Sequence, residues 1–555
     1  MLLLETGVTV IAVLLALCWP RLGSRWFASA ESLFQPLARR RRLSVITVGC
    51  SALLIRLAIL PVIPIPEPQI HDEFSYLLAA DTFASGRLTN PTHPMWKHLE
   101  SFHISHQPTY MSMYFPGQGL VLAAGQALTG RPWYGVWLSA GLMCAAICWM
   151  LQGWLPPGWA LFGGALAVVR LGVFSYWVNS YYGGAVAALG GALVLGALPR
   201  IQRAYRIRDG LVMATGVAIL ASTRPYEGLL VCAPAIVAAL WAVIPRSGVL
   251  VKLLAPATLL ITAAGLLGYY DYRVFGNPLT LPYELNRATY ASAPVFLWQA
   301  ARPEPQYRHA VMRDFYTNWE LSYYREARTP MGFAKRTGSK AATSLVFVCG
   351  ALFLPALVML PWVIRDRHFH YLIAAAAIFA LGLTVNAWLF PHYLAPFLAG
   401  FYAILLQCLR HLRAWKGSGR TLVRLMVVMC LVLAGLRLFA GPLHLPIERW
   451  PTMWSGTEPF GLAQAAVAAK LASYPGKQLA IVRYAPSHDA FVDWVYNAAD
   501  IDRSHVVWAR EMGPNENLDL TGYFRDRTAW LVEPDALPPR VTLWVQRPGA
   551  AGEEP

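Results

Sequence analysis

The sequence predicts a polytopic α-helical membrane protein of about twelve transmembrane helices, followed by a small soluble α/β domain at the C-terminus. Three observations predict it. The 555 residues are 56% hydrophobic and only 14% charged, against roughly 25% charged in water-soluble chains. That deficit is concentrated in apolar stretches about as long as a helix needs to cross a bilayer, where only a helix satisfies its own backbone. The basic residues, which give a formal net charge of +16, cluster in short connections at 21–42, 200–208, 246–252, 365–367 and 410–424. This is the positive-inside pattern. It marks those connections as cytoplasmic and turns the basic balance away from nucleic acid.

Taken in order, the expected spans are 4–20, 44–63, 133–151, 158–177 and 183–198, a broken pair at 211–223 and 226–244, then 253–270, 342–363, 371–390, 393–409 and 421–441. The first has the length of a signal peptide. Glu5 stands where positive charge is expected, however, and no small-residue cleavage site precedes the arginines, so a retained span is expected. Alternating the spans against the basic connections places both termini, and the long loops 64–132 and 271–340, on the non-cytoplasmic side. All eight cysteines fall in apolar segments, which predicts neither a disulfide framework nor a thiolate metal site.

The membrane portion is thus expected over 1–444, and 445–555 differs in character. Runs at 477–484, 504–509, 528–533 and 541–546 read as buried strands, and 460–473 and 490–499 as helices. Alternating strand and helix predicts a small α/β domain. No Gly-rich loop succeeds these strands, so no nucleotide site is expected there.

Candidate chemistry lies in the first long loop. Asp72 and Glu73 stand directly after a span and open an amphipathic helix whose apolar positions 74, 77, 78 and about 84 suit a membrane surface. Acidic residues also suit a helix N-terminus as caps. The loop carries His71, His93, His98, His103 and His106 with Lys97, Tyr110 and Tyr114, and then an apolar stretch, 116–128, too short to span. A loop both partly lipid-facing and rich in proton-transfer and hydrogen-bonding groups suits an amphiphilic substrate; plain surface histidines and a metal site are the alternatives, with no histidine pair at tight ligand spacing on one rigid element.

This arrangement resembles the GT-C superfamily of membrane glycosyltransferases, which use polyprenyl-phosphate sugars, and within it the branch of protein O-mannosyltransferases and the lipid A aminoarabinose transferase. The likeness covers roughly residues 40 to 440. It is carried by the Asp72-Glu73 pair after an early span, the juxtamembrane-helix loop, the Gly-rich helix ending in Thr223-Arg224-Pro225, and the late segment Phe390-Pro391-His392-Tyr393-Leu394-Ala395-Pro396.

The resemblance implies an inverting glycosyltransferase of a bacterial cytoplasmic membrane, moving one sugar from a polyprenyl-phosphate donor to an extracytoplasmic lipid, glycan or protein. It makes Asp72 the general base for the acceptor hydroxyl and Glu73 an orienting residue. Arg224, His392 and Lys97 are then the candidate ligands of the lipid phosphate, with His71, His103, His106, Tyr110 and Tyr393 lining the substrate. Arg224 has a structural alternative, pairing with Glu227. Arg56, Arg170 and Arg437 read as structural. The second outside loop, 175–184, carries aromatics but no carboxylate, where relatives often place an acidic residue that is sometimes a metal ligand; no cofactor is called for, and metal dependence is doubtful. Rival readings are a flippase for lipid-linked glycans and a non-catalytic membrane scaffold.

Overall fold

The computed structural model describes residues 2–68, 70–244, 249–445 and 461–545. Residues 246–248 of the basic connection 246–252 and the expected element ends at 460 and 546 lie outside the described residues. Every apolar stretch singled out above is helical. By length and composition, however, six helices among the described residues qualify as spans: Trp133–Trp154, Gly184–Arg203, Pro225–Val243, Val251–Phe275, Pro391–Ala414 and Gly417–Leu438. A seventh is the pair Pro330–Val348 and Gly350–Arg365, bent by 90°. The expected dozen is not confirmed: six or seven candidate spans are found among the described residues. Leu2–Cys18, Pro157–Val173 and His370–Thr384 are apolar but shorter than 18 residues. The helix Ser24–Arg39, inside the first basic stretch, was not anticipated.

The chain divides into two units. The first comprises Met1–Ile65, Trp133–Leu266 and Thr329–Glu458, and holds most of the apolar helices. Small residues let its helices approach closely, as is usual where lipid offers no hydrophobic drive. A Cβ on Gly191 would lie 1.8 Å from the carbonyl oxygen of Pro396, so the helix Gly184–Arg203 sits directly against the 3₁₀ turn Pro391–Phe397. That turn carries His392.

The second unit comprises Pro66–Pro132, Leu267–Arg328 and Pro459–Pro555, so both long loops group with the C-terminal segment. Two short strands, β1 (Asn90–Pro91) and β2 (Ile104–Ser105), flank β3 (Thr109–Ser112) in an antiparallel set. The C-terminal sheet contains β4 (Lys477–Val482), β5 (Val506–Arg510), β6 (Arg527–Glu533) and β7 (Arg540–Leu543) in the order β5-β4-β6-β7. β5 and β6 run parallel to β4, and β7 closes the edge antiparallel. The helix Pro514–Tyr523, with proline in its first turn, makes the crossover from β5 to β6; the sequence pattern does not reveal it.

Two expectations are corrected here. The helix His71–Ala84 is no membrane-surface ribbon: Ser75, Tyr76, Leu78, Ala79, Ala80 and Thr82 are all buried. Its Phe74 stacks on Tyr496 at 4.0 Å, and Leu78 joins the core formed by Leu479, Ile481 and Val507. Residues 490–499 form no helix. Side chains capture the backbone there instead: the Trp494 amide donates to the Tyr484 hydroxyl at 2.7 Å and the Val495 amide to Asp493 Oδ1 at 3.3 Å. Such local bonds compete with a helix ladder.

Candidate active site

The helix His71–Ala84 aims its N-terminus, and with it Asp72, at the turn that precedes β2. Glu73 closes the helix end by accepting from the Ile70 amide at 3.3 Å. The structure thus gives Glu73 the capping role. The partial positive charge of the helix N-terminus favours an ionised carboxylate in its first turn.

His103 meets Asp72 from the facing loop. Its backbone is left-handed, φ +59°, which is costly for a side chain with a Cβ and is held only by surrounding bonds. Those bonds are present. The His103 carbonyl accepts from the Met113 amide at 3.0 Å and from the Ser75 hydroxyl at 2.6 Å. The twist delivers the imidazole Nδ1 to 3.0 Å from Asp72 Oδ1, 3.0 Å from His71 Nδ1 and 3.1 Å from the Tyr114 hydroxyl. Tyr114 also donates a hydrogen bond to Asp72. The carboxylate is 22% exposed, whereas both imidazoles are buried.

His71 is buried against Phe102, Phe315 and Phe491, with ring centroids 5.1–5.7 Å away. Burial pushes its pKa down to about 3, His103 lowers it further, and Asp72 opposes the shift. It is neutral at ordinary pH.

One ligand atom each from His71, Asp72 and His103 lies within 4.8 Å of the others. Two imidazoles and a carboxylate suit a divalent transition ion. The close approach of two Nδ1 atoms and a carboxylate oxygen also fits that donor set, because one proton on Nδ1 cannot serve three neighbours at once. The sequence does not announce this constellation, because His71 and His103 are 32 residues apart.

Other expected members lie elsewhere. Tyr110 sits in β3, its hydroxyl donating to the Asn497 carbonyl at 2.9 Å, and burial raises its pKa. His106 is buried against Tyr110, and neither ring nitrogen has a hydrogen-bond partner among the described residues. Lys97 is exposed on the short helix Trp96–Leu99, and its carbonyl accepts from His309 Nε2 at 2.8 Å.

A second constellation forms in the first unit. His392 lies between the rings of Tyr182 and Phe390, at 5.2 Å and 5.8 Å, and its Nδ1 is 2.9 Å from the Tyr176 hydroxyl. Tyr393 packs edge-on to it at 5.0 Å, and the Arg224 guanidinium lies over the Tyr393 ring at 4.5 Å. Arg224, His392 and Tyr393 are therefore neighbours. The sequence marks Tyr176 and Tyr182 only as members of the aromatic run 176–182, with nothing in it to name His392. Arg56 is structural: it donates to Asn179 Oδ1, the Ile63 carbonyl and the Pro64 carbonyl at 2.9–3.1 Å.

No family model and no curated relative matches the chain. Among solved structures it is similar to the Archaeoglobus fulgidus oligosaccharyltransferase in complex with zinc and sulfate, with 10% identity and TM-score 0.45 over 87% of this chain and 67% of that one. It is also similar to ArnT from Cupriavidus metallidurans in two states. The apo form has 12% identity and TM-score 0.48 over 87% of this chain and 92% of that one. The form bound to undecaprenyl phosphate has 13% identity and TM-score 0.47 over 88% and 92%. Likenesses this distant carry no functional assignment; the assignment rests on the chain's own residues.

Proposed function

We propose that the protein is an inverting glycosyltransferase of the GT-C kind, taking its sugar from a polyprenyl phosphate at the non-cytoplasmic face of a bacterial cytoplasmic membrane. The observation that carries the reading is the Asp72 carboxylate, partly exposed and held by Tyr114 and His103.

Asp72 accepts the proton of the acceptor hydroxyl, and that oxygen attacks the anomeric carbon. The glycosidic C–O bond to the lipid phosphate breaks, and its electron pair leaves with the phosphate. Attack from the opposite face inverts the anomeric centre. Tyr114 and His103 orient the carboxylate, while neutral His71 supports His103 without adding charge. Arg224 and His392 take the leaving phosphate, the guanidinium fork matching its oxygens and opposing its developing charge. A divalent ion held by His71, Asp72 and His103 would supply Lewis-acid polarisation beside the carboxylate. Acceptors are extracytoplasmic lipid, glycan or protein.

The test supplies purified protein in vesicles with radiolabelled polyprenyl-phosphate sugars and envelope lipids and glycans. Label moving to an acceptor supports the reading. Transbilayer movement of donor with no bond made contradicts it and favours a flippase.

A further inference from the structure

We infer that the buried Glu5–Arg170 ion pair is a positioning device for His392, acting through the backbone break at residues 347–352 and through Tyr176. The inference rests on the reading of His392 as a ligand of the donor's lipid phosphate.

Arg170 and Glu5 are both buried among apolar helices, at 0% and 3% exposure. Arg170 Nη1 lies 3.7 Å from Glu5 Oε1. A buried pair at that distance recovers its desolvation penalty only with further hydrogen bonds. Both residues make those bonds to one feature, the 90° junction of Pro330–Val348 with Gly350–Arg365.

A sharp break inside an apolar unit frees carbonyls at the end of one helix and amides at the start of the next, and hydrocarbon satisfies neither. Arg170 takes the carbonyl side, donating to Cys349 O at 3.0 Å and Phe347 O at 3.5 Å. Glu5 takes the amide side, accepting from the Leu352 amide at 3.3 Å. Gly350 turns the corner at φ +61°, and a Cβ there would lie 2.1 Å from Glu5 Oε1. The corner is built around the carboxylate.

The same arginine sits in a π-helical turn, Val168–Val173, six residues before Tyr176. π turns recur at functional sites, where the extra residue re-aims the side chains of the next turn. Phe347, whose carbonyl Arg170 holds, packs its ring on Trp177 at 5.1 Å and on Tyr176 at 6.3 Å. Tyr176 in turn bonds His392 Nδ1. A phenol donating to Nδ1 leaves the imidazole proton on Nε2, the tautomer that presents an N–H to an anion. The pair therefore grips Tyr176 from two directions, along its own chain and through Phe347, and Tyr176 fixes the ring.

The experiment uses the full chain in nanodiscs with ¹⁵N-histidine, the His392 resonances being assigned by their loss in His392→Asn. Wild-type protein at neutral pH is expected to show a single Nε2–H tautomer at His392. Tyr176→Phe and Arg170→Lys, the latter keeping the charge but losing the fork, are expected to give mixed tautomers. Their apparent KM for polyprenyl-phosphate sugar is expected to rise about tenfold, with kcat within about twofold. Glu5→Asp replaces Arg170→Lys if the latter does not accumulate. Unchanged His392 resonances in Tyr176→Phe, or in the ion-pair variant, overturn the inference. Mixed tautomers in a chain that does not bind undecaprenyl phosphate support the positioning role and overturn the phosphate reading.

Discussion

The Nδ1 atoms of His71 and His103 lie 3.0 Å apart, and His103 Nδ1 stands equally close to Asp72 Oδ1. Two basic nitrogens at that separation do not both carry a proton. With His71 held neutral by burial, the pair gives Asp72 a firm support at low cost in positive charge. Tyr114 completes that support.

Tyr114→Phe removes the hydroxyl that donates to Asp72 and leaves the ring stacked on Tyr76 at 4.4 Å. A hydrogen bond to a charged group contributes about 1.5–3 kcal/mol. The expected result is a fall in transfer rate of roughly 10- to 100-fold, with the melting temperature nearly unchanged. Steady-state transfer assays and a thermal melt check both.

Arg224→Ala is expected to raise the donor KM by about tenfold or more, since a charge-assisted phosphate contact is lost, while the protein still folds. Titration with undecaprenyl phosphate measures it. Unchanged donor affinity would remove Arg224 from the site.

Gly191→Ala places a methyl group against the Pro396 carbonyl. The 3₁₀ turn carrying His392 must then move. The expected outcome is weaker donor binding with the Asp72 side of the chemistry intact, seen as a KM effect larger than the kcat effect.

The second unit loses stability in acid in two windows. His106 is pushed down to about 4, first by burial, which Glu100 opposes and neighbouring Arg510 reinforces. Between about pH 6.5 and 4 the unfolded chain binds this proton and the native state does not, so stability is full above the upper value and falls as pH drops through the window. His71 adds to the same slope. Glu100 is desolvated, but His309 and Arg308 outweigh that and hold it below the usual carboxylate range, so its contribution is lost only at lower pH. His106→Gln should reduce the slope of the first window and leave the part that His71 carries, as read from melting temperature against pH.

The legible parts of the sequence were those that local chemistry dictates. Apolar length marked the helices, alternating runs marked β4 to β7, and an acidic pair after a span marked Asp72. Glu73 caps the helix, and an acidic residue in a first turn has the same spelling whether it caps or orients a substrate. His103 was anticipated only as loop lining: its role needs a left-handed residue and a strand turn that bring position 103 to position 72. Tyr176 and His392, 216 residues apart, meet only through helix packing. The helix expected at 490–499 failed because Asp493 and Tyr484 bind the local amides and Arg510 Nη2 meets Asp493 at 2.5 Å, contacts with no local signature.

The most direct test is Asp72→Asn, assayed for sugar transfer and for undecaprenyl-phosphate binding in the same preparation. The asparagine keeps the hydrogen-bonding shape and loses the base. Transfer is expected to fall by roughly 10²–10⁴-fold with lipid binding and melting temperature retained. Transfer at the wild-type rate would contradict the assignment of Asp72 as the base.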